Sequence, residues 1–307
     1  MKIFSGGSNK PLALRIAEKL ETDLSPLEIH IFPDGEKRVR VLENVVDEDC
    51  IVVQPTSPEP DKNYMELFFI VDALRRSGAK KITAVIPYLG YQRQDHIFRE
   101  GEAVSLEVVA TLLKWGGVDE IIAFDLHSIK IPQIFKIKLT HLSALPIFAK
   151  EIKKMFGDAN YTLDAKRYPL TLVSPDMGGK RRIMLLSEML GGMPFAVIEK
   201  NRDLQSGKIT MTGISGDVKE NTIIVDDMIS TGGTIVTAAN LLKSKGARNI
   251  YVFATHGVFS EDAPKILGNS ILKKVYVTDT INIPKEKQFE KLKVLSVSEL
   301  IANQLKL

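Results

Sequence analysis

The chain repeats itself. Residues 73–91 read ALRRSGAKKITAVIPYLGY and residues 241–259 read LLKSKGARNIYVFATHGVF, in register and without a gap. A repeat of this kind constrains the fold strongly, because each copy must be one supersecondary unit with the same faces to bury. The residues ahead of each copy carry the same apolar stripe: Leu67, Ile70, Val71 and Leu74 in the first, Ile235, Ala238, Ala239 and Leu242 in the second. That spacing is one face of a helix. Gly78 and Gly246 follow the stripes, where a helix takes a left-handed closing residue. DEDCIVVQP precedes one helix and KENTIIVDD the other, so each copy reads as a βαβ unit.

Short unbroken apolar runs recur at 51–53, 82–86, 121–124, 171–173, 195–198, 223–225 and 250–254. Separated by amphipathic stretches, they indicate parallel strands covered by helices on both faces. The expected fold class is therefore α/β, with two duplicated domains, each a mostly parallel sheet flanked by helices. The expected domains are 1–150 and 151–307, divided near 145–165, where GDANYTLDAKRYP supplies Gly, Pro and polar residues. Ser296 and Glu299 have capping-box spacing and would open a C-terminal helix able to pack on either half.

The halves differ where function is expected. After its strand the second half has Asp226-Asp227, then MISTGGT, then the helix; the first has Gln54-Pro55 and no glycine loop. Backbone N–H groups at a helix start are unpaired and carry partial positive charge, and glycines let the chain close around an anion. Carboxylates accept hydrogen bonds from vicinal hydroxyls. Acids followed by an anion cradle suit a sugar phosphate, although TGGT alone is an ordinary glycine-rich turn.

Composition excludes several classes. No apolar run approaches the ~18 residues of a membrane span, and MKIFSGGSNK has no secretory apolar region. Cys50 is the single cysteine, so no intrachain disulfide or cysteine zinc site is expected. The 41 basic residues barely exceed the 38 acidic ones, which argues against nucleic acid as a partner. These features point to a cytoplasmic chain with no membrane partner.

IIVDDMISTGGT resembles the ribose-phosphate loop of the phosphoribosyltransferase-type fold. With FPDGE at 32–36, RQD at 93–95, DLH at 125–127, SPDMGG at 174–179 and EKNR at 199–202, the whole chain resembles the ribose-phosphate diphosphokinases. The resemblance implies transfer of the diphosphoryl group of ATP to the C1 hydroxyl of ribose 5-phosphate, with Mg2+. It implies Lys200 and Arg202 as transition-state cations. It places Phe32, Asp34, Gly35, Glu36, Arg93, Gln94 and Asp95 at ATP, and His127 and Asp176 at magnesium. Asp226, Asp227, Ser230, Thr231, Gly232, Gly233 and Thr234 would hold ribose 5-phosphate. FPDGE would reach a neighbour's ATP site, so a homo-oligomer is implied. EKNR and the His96 segment after RQD depart from the common bacterial and animal pattern toward the archaeal type. A phosphoribosyltransferase would share the DD…TGGT loop, and a non-catalytic regulatory subunit would share the fold, so both stay open as alternatives.

Overall fold

The computed structural model describes residues 1–157, 169–202 and 209–307, and their side chains except those of 200–202 and 209–212. The chain forms two units. One comprises Met1–Ser143, Asp279–Asn282 and Ser296–Leu307; the other comprises Ala144–Thr278 and Ile283–Leu295. Among the described residues no helix is long and apolar enough to cross a membrane.

The first unit contains β1 (Lys2–Ser5), α1 (Lys10–Lys19), β2 (Leu27–Ile31), β3 (Lys37–Val41), β4 (Asp49–Val53), α2 (Pro60–Arg76), β5 (Lys81–Val85), α3 (Ser105–Trp115), β6 (Glu120–Phe124) and β7 (Lys138–Leu142). Its five-stranded sheet has the order β1-β4-β5-β6-β7, and every neighbouring pair is parallel. The antiparallel β2–β3 hairpin forms a separate two-stranded sheet. Leu67, Ile70, Val71 and Leu74 of α2 are fully buried with Val52, Ile82 and Ala84, as their helical spacing requires.

The second unit contains α4 (Leu145–Phe156), β8 (Leu170–Ser174), α5 (Lys180–Met189), β9 (Phe195–Arg202), β10 (Ile209–Ser215), β11 (Asn221–Ile229), α6 (Gly233–Ser244), β12 (Asn249–Gly257), α7 (Ala263–Gly268), β13 (Lys274–Thr278) and β14 (Leu292–Leu295). Its sheet runs β10-β9-β8-β11-β12-β13-β14, parallel except for the β9–β10 pair. The α6 stripe buries one face of this sheet. Helix α4 begins this unit, ahead of residue 150, because Leu145, Phe148, Ala149, Ile152 and Phe156 pack with Leu170, Leu172 and α5 on the other face.

The C-terminal helix α8 (Ser298–Leu305) returns to the first unit and packs on α1. Asp279 fastens this return. Its carboxylate accepts from Arg15 (2.7 Å) and from the Val297 N–H (2.8 Å), and its carbonyl accepts from Asn9 (2.8 Å). The expected capping box does not form: Val297 is the N-cap, and the Ser296 hydroxyl takes the Ser298 N–H (3.3 Å) instead of that of Glu299.

Candidate active site

The glycine loop expected to cradle an anion lies beyond the carboxyl end of a central strand. β11 lies between β8 and β12, and its apolar residues are buried up to Val225. Asp226 and Asp227 follow. Gly232 adopts φ +79°, and a Cβ there would lie 3.2 Å from Leu267 Cγ, so both conformation and space call for glycine. α6 begins at the next residue, and no side chain caps it. Its first-turn amides are thus not claimed by a cap, which leaves them facing outward for an anion. The Ser260 N–H donates to the Ser230 carbonyl (3.1 Å), and the Ser230 and Ser260 hydroxyls lie 3.2 Å apart, anchoring the loop to the segment after β12.

The acids beside the cradle are crowded. Asp226 Oδ1 accepts the Asp227 N–H (2.9 Å) and lies 3.4 Å from Arg182 Nη1; Asp227 Oδ1 lies 3.7 Å from Arg182 Nη2. Burial, and next the charge of Asp227, hold the Asp226 carboxyl well above the usual carboxylate range; Arg182 opposes this, while Asp176 adds to it. Carboxylates grouped in this way can accept hydrogen bonds from hydroxyl donors or face a cation. Asp176 follows β8, and its Oδ1 accepts the Gly179 N–H (3.1 Å) at the start of α5. Arg182 was not singled out from sequence. Its signal was the KRR run opening a helix straight after SPDMGG.

In the first unit, FPDGE forms the tip of the β2–β3 hairpin. The Phe32 N–H donates to Glu36 O (2.8 Å), the Glu36 N–H to Asp34 Oδ1 (3.1 Å), and Gly35 takes φ +93°. The partly exposed Phe32 ring meets the edge of His30 (4.7 Å between centroids) and Arg38 (5.9 Å). Arg93 and Gln94 are exposed after β5, while Asp95 is held by His96 (2.6 Å). His127 is exposed after β6, and its backbone N–H donates to Gln92 Oε1 (3.0 Å). Gln92 thereby joins the RQD segment to the DLH segment. Its fully buried Nε2 has no partner among the described residues. Lys200 and Arg202 lie in β9, paired by backbone with Met211 and Ile209, but their side chains fall outside the described residues.

Known proteins share this fold. The family profile described as the N-terminal domain of ribose phosphate pyrophosphokinase matches residues 1–117, and that of the phosphoribosyl synthetase-associated domain matches 196–307. The ribose-phosphate pyrophosphokinase of Fusobacterium nucleatum is 40% identical, over 99% of this chain and 94% of its own. That of Thermotoga maritima is 39% identical over the same shares. The crystal structure of phosphoribosylpyrophosphate synthetase from Mycobacterium smegmatis superimposes with a TM-score of 0.89 at 35% identity, covering 99% of this chain and 97% of that one. On these grounds the chain belongs to the ribose-phosphate pyrophosphokinase family.

Proposed function

We propose that the chain transfers the diphosphoryl group of ATP to ribose 5-phosphate, as a cytoplasmic, self-associating enzyme. The C1 hydroxyl oxygen bonds to the β-phosphorus. The bond from that phosphorus to the α–β bridging oxygen breaks, AMP leaves with the bridging oxygen, and the hydroxyl proton passes to solvent. The observation that carries this reading is the likeness over 99% of the chain to ribose-phosphate pyrophosphokinases, since the Asp226-Asp227 pair and the uncapped Gly232-Gly233 helix start would also suit a phosphoribosyltransferase.

The amides and hydroxyls of 230–234 would hold the 5-phosphate, and Asp226 and Asp227 the ribose hydroxyls. Arg93 offers a flat cation for stacking on adenine. Gln94 and Asp95 stand beside it, and Phe32, Asp34, Gly35 and Glu36 reach the ATP of a neighbouring copy. Lys200 and Arg202 would neutralise charge as it develops on the phosphoryl oxygens. The donor chemistry suits Mg2+. Among the described residues no group of three or more His, Cys, Asp or Glu could hold a metal. Mg2+ is often bound through one or two protein ligands plus substrate phosphates and waters. Asp176 in the second unit and His127 in the first would each offer such a ligand, and magnesium would supply positive charge to the transferring phosphates.

The test is AMP formation from ATP and ribose 5-phosphate, with and without Mg2+. Diphosphate release from phosphoribosyl diphosphate plus a nucleobase, without AMP formation, would instead identify a phosphoribosyltransferase. Neither activity would identify a regulatory subunit.

A further inference from the structure

Lys37 is the first residue of β3, next to the FPDGE turn, and shares a strand face with Val39 and Val41, which pack on the core. Its ammonium meets Glu66 Oε2 of α2 at 2.5 Å, with the two side chains 7% and 6% exposed. The other Glu66 oxygen accepts the Gly7 N–H (2.5 Å) and Gln54 Nε2 (3.0 Å). Gln54 Oε1 accepts the amide (3.2 Å) and the hydroxyl (2.8 Å) of Ser8. One buried pair thus ties the hairpin to α2, to the loop after β1 and to the end of β4.

A buried ion pair is weak evidence of stability, since apolar residues of similar volume often serve the fold as well or better. What it supplies here is a fixed position. The β2–β3 hairpin shares no ladder with the five-stranded sheet, so its placement depends on side chains. Apolar contacts from Leu27, Ile29, Val39 and Val41 hold its body. Lys37 is the charged anchor at the end that carries the turn. In the repeat register Glu66 corresponds to Thr234. The first half therefore uses a carboxylate of its own where the second half presents its anion loop.

We infer that Lys37 and Glu66 are positioning residues that aim the FPDGE turn at ATP. The inference rests on the proposed placement of Phe32, Asp34 and Glu36 at the nucleotide. The probe is the double variant Lys37→Met/Glu66→Gln, which removes both charges yet keeps an acceptor for the Gly7 N–H. KM for ATP should rise on the order of 10-fold or more, the scale of losses from small misplacements. KM for ribose 5-phosphate and Tm should stay at wild-type values, and Lys37→Arg, which keeps the cation, should retain the wild-type KM for ATP. Amide exchange in 27–41 should quicken in the double variant while the five-stranded sheet keeps its protection. Phe32→Ala separates the two ideas. If it raises KM for ATP and the double variant does not, the positioning role is overturned. If Phe32→Ala has no effect, the placement of the turn at ATP fails and the inference falls with it. Equal rises in both KM values would mark a merely structural pair and also overturn it.

Discussion

The two halves keep one architecture and diverge at one helix start. β1-β4-β5-β6-β7 and β8-β11-β12-β13-β14 follow the same order, each with a hairpin inserted between its first two strands in sequence. Helices α2 and α6 close alike: Ala79 donates to Leu74 O and Ala247 to Leu242 O (both 3.1 Å), around Gly78 at φ +90° and Gly246 at φ +101°. Their beginnings differ. α2 has 17 residues and α6 has 12, and the extra turns of α2 occupy chain that would otherwise form a loop. Gln54 replaces the first acid, and Glu66 takes up the nearby Gly7 amide. A buried parallel sheet tolerates duplication because its apolar strands suit either copy. An anion site depends on where a helix begins, so a shift of one or two turns abolishes it.

The hairpins offer the largest test of this contrast. The second carries Lys200, proposed as a cation that acts as charge develops, so Lys200→Ala should lower kcat by roughly 10²–10³ with little change in KM for either substrate. Near-normal turnover would move the catalytic cation elsewhere. The first hairpin is expected to act on binding. Phe32→Ala should raise KM for ATP about 10-fold, on the ~1–3 kcal/mol scale of base stacking. Mixed Phe32→Ala and Lys200→Ala subunits, once shown to exchange, should recover activity; no recovery would remove the shared site.

Asp226→Asn probes the site proposed for the second half. KM for ribose 5-phosphate should rise more than KM for ATP, and the reverse order would place these acids at the nucleotide. Stability should move the other way. A carboxyl whose folded pKa is raised favours folding fully below its unfolded value, and that contribution is lost as pH rises through the raised value. At neutral pH, above its unfolded value, the Asp226 carboxyl is therefore a burden. Its removal should raise Tm by about 2–4 °C for each kcal/mol recovered, and the gain should vanish in acid below the ordinary carboxylate range. A gain that persists there would show that ionisation is not its source.

The smallest ligand effect is expected from Gln54→Asp, which returns an acid to the first half. Ribose 5-phosphate stoichiometry by calorimetry should not change, because α2 still begins too early. The new carboxylate would face Glu66 and lose the Gln54 donor, costing about 1–3 kcal/mol in stability. A second binding event would show that the acids, rather than the helix start, make the site.

Much of this was legible in local pattern. The apolar runs at 51–53, 82–86 and 223–225 became strands, and the stripes from Leu67 and Ile235 became buried helix faces. Asp226, Asp227 and the 230–234 loop stood out because strand, acids, glycines and helix are contiguous. Less legible were the separate sheet of β2–β3, the antiparallel β9–β10 pair and the loss of the Ser296 capping box. Each depends on what the segment meets after folding.

By itself the sequence determined the α/β class, the duplication and the glycine loop between β11 and α6. These rest on periodicity and on glycine's access to positive φ, which neighbouring residues settle among themselves. Tertiary structure decided that Arg182 meets Asp226 and Asp227, that Gln92 holds the His127 backbone, and that Lys37 meets Glu66. Those partners are distant in sequence, and no local preference encodes their meeting. Each contact exists because sheet order brings the carboxyl ends of particular strands together, or because a buried charge needs an opposite charge within reach.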